Sequence, residues 1–229
     1  MPLTGLTWKR FCEHLKKNSP IYLIGIVAMA LLGNILFTTT RPQTPDDQEV
    51  LIYLVDGYAQ SELLDDLCAE ALVYGQQNDE TLLEVRSESI TYTEDDYYSP
   101  MVLMARMAIG DGDVYIANDS VIEYLAAEGI CTPLDSYVEE GWLSELNLES
   151  WYYTETDEDT GEETTYLAAL KLNNIPQLQE NGIVASENMY LVIASNGSNP
   201  ETSMDVISYM LKQIAEGNYA PAATEEPAA

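Results

Sequence analysis

The chain has 229 residues, with 39 acids, nine bases and one histidine, for a formal net charge of −30 and an isoelectric point near 4.1. A surface that acidic repels nucleic acid and anionic lipid head groups, which excludes both as expected partners. Three cysteines do not make a disulfide framework.

The charge is divided by one apolar run. Residues 1–20 carry Lys9, Arg10, Lys16 and Lys17 against a single acid, Glu13. Then comes IYLIGIVAMALLGNILF, Ile21 to Phe37, in which only the phenol of Tyr22 can ionise. Beyond residue 45 all the remaining acids face only Arg86, Arg106, Lys171 and Lys212. Extended into the following threonines, the run reaches the ~20 residues a helix needs to cross a bilayer. Bases stay on the cytoplasmic side, so the N-terminus reads as cytoplasmic and the acidic bulk as extracellular.

A cleaved signal peptide is the competing reading. Against it stand the long basic region and an ending in Phe-Thr-Thr-Thr-Arg-Pro in place of a small-x-small site. No cysteine follows closely for a lipoprotein anchor. The expectation is a single-pass protein of the cell membrane. Its parts are a basic arm at 1–20, a transmembrane helix at 21–40, a stalk at 41–49, an extracellular domain at 50–215 and a disordered tail at 216–229.

The stalk RPQTPDDQE is polar with two prolines. VLIYLV, from Val50, is a continuous apolar run stopping at Asp56-Gly57, the pattern of a strand buried on both faces. Ser61 is placed to cap a helix to about Tyr74, with Leu63, Leu64, Leu67, Ala71 and Leu72 on one stripe. Residues 82–85 read as a short strand. Pro100 opens a helix over 101–109, which ends at Gly110-Asp111-Gly112. A third strand covers 113–117, and Asn118-Asp119-Ser120 caps a helix to Glu128 before Gly129. This alternation predicts an α/β fold, a parallel or mixed sheet with helices on both faces, in three layers and predominantly parallel over about residues 48–215.

The rhythm then changes. Residues 151–156 and 164–172 form a hairpin around Asp157-Glu158-Asp159-Thr160-Gly161. NMYLVIA, 188–194, is a further strand, and Asn199-Pro200 opens a last helix over about 201–215.

The chemistry is restrictive. The only histidine, His14, lies in the basic arm, so the external domain lacks the base of Ser-His-Asp and Cys-His catalysis and the commonest zinc ligand. Neither GxGxxG nor GxxxxGK occurs. Asp157-x-Asp159-x-Gly161 begins like a calcium loop, but the later ligand positions fall on Gly161, Glu162 and Ala168, so it reads as an acidic hairpin tip. No catalytic residue, metal or cofactor is expected. Cys68 and Cys131 share the outside, either as one bridge or as two separately buried thiols. Sixteen tyrosines and three tryptophans against two phenylalanines favour rings with a polar handle, suited to sugar or peptide recognition or to half-buried strand positions.

DVYIANDSVIEYLAAEGICTPLDSYV, Asp113 to Val138, resembles the segment of family 1 extracellular solute-binding proteins of ABC importers in which a D-v-y strand leads to a helix, a glycine and Pro-Leu-Asp. ENMYLVIASNGSNPETSMDVISYMLKQI, Glu187 to Ile214, is similar to that family's late strand and helix, which an Asn-Pro-Glu often opens. The resemblance implies a single periplasmic-binding-protein-like lobe, whereas family members usually have two lobes and about twice this length. Here the hairpin runs almost directly into the last strand–helix unit, and a membrane helix stands in place of the lipoprotein cysteine.

The leading expectation is therefore a non-enzymatic, anchored extracellular domain. It binds a small solute such as a sugar or peptide weakly, or docks to an ABC permease or surface protein. A scaffold domain without a ligand is the alternative, and a carboxylate-based glycoside hydrolase a distant one. A ligand is expected over the carboxyl ends of the first and third strands, near Asp56, Tyr58, Asn118 and Asp119, where open α/β sheets leave backbone groups free. Helix capping by Asn118 or Ser120 is the competing account of those residue types.

Overall fold

A computed structural model describes residues 24–26, 28–33, 44–56, 61–92, 98–156, 160–186 and 188–219. The chain divides into two units, Met1–Gln43 and Thr44–Ala229. In the first, residues 24–26 and 28–33 are helical, and Ile24, Ile26, Met29, Leu31 and Leu32 are exposed. No helix among the described residues is long and apolar enough to cross a membrane. The rest of the expected span, 21–23, 27 and 34–40, lies outside them, as does the basic arm.

The second unit is a six-stranded mixed sheet in the order β2-β1-β3-β6-β5-β4. The strands are β1 (Glu49–Val55), β2 (Glu84–Ile90), β3 (Val114–Asn118), β4 (Glu149–Thr156), β5 (Glu163–Lys171) and β6 (Met189–Ile193). The longer helices are α1 (Ser61–Gly75), α2 (Tyr98–Ala108), α3 (Asp119–Ala127) and α6 (Pro200–Ala215). Two short ones, α4 (Asp135–Glu139) and α5 (Gln177–Glu180), lie between.

The runs read as central strands are central. β1, β3 and β6 occupy the middle of the sheet, and every residue of β1 and β6 is buried. Alternation sends their side chains to two separate cores. Val50, Ile52, Leu54, Val114, Ile116, Leu191 and Ile193 meet Leu64, Leu67 and Ala71 of α1 and the Met204, Ile207, Met210 and Leu211 stripe of α6. Leu51, Tyr53, Val55, Tyr115, Ala117 and Val192 meet Leu103 and Met107 of α2 and Val121, Ile122 and Leu125 of α3. The result is three layers.

Three expectations are corrected. The second strand is Glu84–Ile90, not 82–85: EVRSESI is polar because β2 is an edge strand with one buried position in every few, and Leu82 is instead buried just before it. The sheet is not predominantly parallel. β1 pairs in parallel with β2 and β3, whereas β3–β6, β6–β5 and β5–β4 are antiparallel. The β4–β5 hairpin supplies the reversal that a helical crossover would otherwise avoid. The stretch read as a tail also begins inside the fold: Tyr219 packs on the first core, and its carbonyl accepts a hydrogen bond from Asn181 Nδ2. Residues 220–229 and the hairpin tip at 157–159 lie outside the described residues.

The open alternative for the cysteines resolves as two thiols. Cys68 belongs to one core and Cys131 to the other, so the sheet stands between them. Burial pushes them up to about 11 and about 12, keeping both as inert thiols.

Asp113 ties the layers at the amino edge of the sheet. Its buried carboxylate accepts the Leu51 amide at 2.9 Å and the Ser198 amide at 3.1 Å, joining β1, β3 and the turn into α6. The Pro-Leu-Asp motif has a similar structural use. Leu134 is fully buried, its amide donates to the Leu167 carbonyl, and the Asp135 carboxylate accepts the Leu167 amide at 2.9 Å.

Candidate functional site

The carboxyl ends of β1 and β3 lie side by side because the strands are parallel with Leu54 opposite Ile116. Two residues further along both strands, Asp56 and Asn118 share one edge of the sheet. Asp56 has a left-handed backbone (φ 63°), and its amide donates to the Ile90 carbonyl at 2.8 Å, closing the end of β2 onto β1. Tyr58 lies outside the described residues.

Asn118 caps α3, accepting the Val121 amide at 3.2 Å and the Ser120 hydroxyl at 3.0 Å. Its side chain is thus engaged in capping. Asp119, exposed in the first turn of α3, accepts a hydrogen bond from Tyr190 across the β3–β6 pair. Burial, then that bond and the charges of Asp119 and Glu149, push the Tyr190 phenol up to about 12. Lys171 stands 5.8 Å above the same ring, and Trp151 meets it edge-on at 6.3 Å. Of the four expected residues, the structure brings Asp56, Asn118 and Asp119 to one edge.

A cavity of about 300 Å³ opens on the β1–β2 side of this edge. Its lining includes Tyr53, Glu88, Thr91, Tyr98, Val102 and Arg106. Register sets the floor: Tyr53 lies opposite Glu88, so both side chains leave the same face of the sheet. α2 brings Arg106 over them, with its guanidinium carbon 6.0 Å from the centre of the Tyr53 ring. Arg106 pairs through Nη1 with Asp111, which also accepts the Tyr53 hydroxyl at 3.1 Å. Burial, and then the charges of Asp111 and Glu88, hold the Tyr53 phenol well above the ordinary tyrosine range, so it stays a hydroxyl. The Asp111 hydrogen bond, outweighing partial burial, raises the Arg106 guanidinium further.

Gly112 makes this arrangement sterically feasible. Its φ is +119°, and a Cβ there would meet Tyr53 Cδ2 at 2.6 Å. Beside the cavity, Arg86 pairs with both Glu49 and Glu88. An alternating chain of charge therefore runs Glu49, Arg86, Glu88, Arg106, Asp111.

Sequence reasoning missed Tyr53, Glu88 and Arg106. The signal available was scarcity, since Arg86 and Arg106 are half of the bases beyond residue 45. Chemically the cavity offers one cationic and one anionic group beside Tyr98, Val102 and the hydroxyl residues Ser89, Thr91 and Ser99. Among the described residues no group of three metal-binding side chains forms.

No protein-family model matches the sequence, and no curated protein matches it. Among solved structures, the chain is similar to an ABC substrate-binding protein from Listeria monocytogenes in complex with cycloalternan. That likeness has 14% identity and a TM-score of 0.39, and covers 78% of this chain and 80% of that one. It is also similar to the N-glycan transport solute binding protein from Streptococcus pneumoniae in complex with Man5GlcNAc, with 19% identity and a TM-score of 0.31. There the match covers 44% of this chain and spans a fifth of the other's length, 20%.

Proposed function

We propose that the chain is a membrane-anchored, extracellular solute-binding-like protein whose single α/β lobe recognises a small solute without transforming it. The observation that carries this reading is the cavity over the β1–β2 face, where Tyr53, Glu88 and Arg106 converge and which reaches the carboxyl edge at Ile90 and Thr91. Open α/β sheets hold ligands at such edges, and the cavity's size falls at the small end of ligand sites. The resemblance of residues 113–138 and 187–214 to family 1 solute-binding proteins supports the same class. The charge split around residues 21–37 supports the anchor, with the lobe outside and an ABC permease or another surface protein as the docking partner.

Thermal unfolding of the purified protein against a sugar and peptide library tests the binding reading, since a ligand raises the melting temperature by mass action. At least one compound is expected to shift the transition in proportion to the logarithm of its concentration; a library without a single hit overturns the reading. Protease treatment of intact cells tests the anchor. Loss of everything after residue 45 with protection of residues before 20 is expected, whereas release of an intact domain without protease means that the signal is cleaved.

A further inference from the structure

Glu88 and Arg106 face each other across the cavity without closing on each other. Arg106 Nη2 and Glu88 Oε2 are 4.0 Å apart, beyond direct hydrogen-bond distance, although each residue is firmly held through its other atoms. Asp111 fixes Arg106 through Nη1, and Arg86 fixes Glu88 through Oε1. Their side chains are 43% and 35% exposed, so a solute can reach both. The exposed apolar wall alongside is Tyr98 and Val102, with the hydroxyl residues Ser89, Thr91 and Ser99 also in the lining.

We infer that this cavity takes an α-amino acid with an apolar side chain, an inference that rests on the solute-binding reading above and gives its site a ligand class. In an α-amino acid the ammonium nitrogen and a carboxylate oxygen are about 3 Å apart by ordinary bond lengths. With charge-assisted bonds of about 2.8 Å on each side, the ligand carboxylate meets Arg106 and its ammonium meets Glu88. The four groups then alternate in sign around a closed ring, and no charge is left facing its like. An amine alone gains Glu88 but faces Arg106. A carboxylic acid alone gains Arg106 but faces Glu88. A neutral sugar hydroxyl meets either group with charge on one side of the bond only, whereas the zwitterion brings charge to both. The side chain of the ligand covers Val102 and Tyr98, which are 50% and 73% exposed.

Calorimetric titration of the full-length protein in nanodiscs with L-leucine, isoamylamine, isocaproate and maltose tests this. L-leucine is expected to bind at least tenfold more tightly than isoamylamine, which lacks the carboxylate, and isocaproate, which lacks the ammonium. Glu88→Gln should weaken L-leucine at least tenfold and bring it level with isocaproate. Because Arg106→Gln also frees Asp111 and can unfold the domain, the analogue series in the unaltered protein provides the independent measurement. Equal affinity for L-leucine and isoamylamine overturns the inference, as does unchanged L-leucine binding in a folded Glu88→Gln protein. Maltose binding without L-leucine binding overturns it while leaving the solute-binding reading standing. Silence from these probes and from the whole library overturns both.

Discussion

The two halves of the sheet are built on different rules. In the parallel half, β2-β1-β3, helices cover both faces, and β1 is buried at every position. In the antiparallel half the β4–β5 hairpin exposes most of β4, with Tyr152 58% exposed, and buries β5 only over Leu167–Leu170. A parallel pair needs a crossover, and each crossover leaves strand ends and a helix start at the carboxyl edge. The cavity reaches that edge at Ile90 and Thr91 and extends back along the β1–β2 face to Arg106. A hairpin returns directly and leaves no such edge, and its rings Trp151, Tyr153 and Tyr166 form a half-covered row against the second core. The cavity and the continuous burial of β1 therefore fall in the same half.

Truncating Leu54 and Tyr152 contrasts the halves most strongly. Leu54→Ala in the core is expected to cost ~2–5 kcal/mol, and Tyr152→Ala on β4 within about 0.5 kcal/mol, by urea unfolding. Equal losses would dissolve the distinction.

Asp113→Ala comes next. It strips the Leu51 and Ser198 amides of their buried acceptor and should cost about 2 kcal/mol. Gly112→Ala forces a side chain onto the Tyr53 ring at a backbone angle that favours glycine, at about 1–3 kcal/mol. Because it displaces Tyr53, it should also weaken any cavity ligand; a variant equally unstable but with unaltered binding would place the ligand elsewhere.

Acidity gives a smaller effect. Burial raises the carboxyl of Asp113 above its ordinary value, against the pull of the Leu51, Ser198 and Asn199 amides. It raises that of Glu49 against the pull of Arg86. The folded state therefore holds protons that the unfolded chain releases. This contribution is complete below the ordinary carboxylate value of about 4 and is lost as pH climbs through the raised ones. The urea midpoint is expected to be higher at about pH 5 than at about pH 7, and Asp113→Asn should narrow the gap. A midpoint that rises toward neutrality contradicts the assignment. Smallest of all is the thiol effect: Cys68 and Cys131 should resist a thiol reagent until urea opens both cores.

The sequence by itself determined the charge split at residues 21–37, the burial of 50–55, 113–117 and 189–194, the cap at Asn118 and the hairpin after Trp151. Each is local: an apolar run, a side-chain oxygen before a helix, or a glycine in a turn expresses its preference within a few residues. Tertiary structure decided what depends on partners distant in sequence. VLIYLV and MYLVI are equally apolar, yet one runs parallel to β3 and the other against it, because burial carries no sign of direction. EVRSESI has too little apolar character to announce a strand and forms one by pairing along β1. Glu88 and Arg106 meet only because an edge strand and a crossover helix converge on Tyr53, and Asp113 is buried because three amides of the folded chain turn toward it. Periodicity reports how deeply a residue is buried; which group it then faces is set by the packing of the whole sheet.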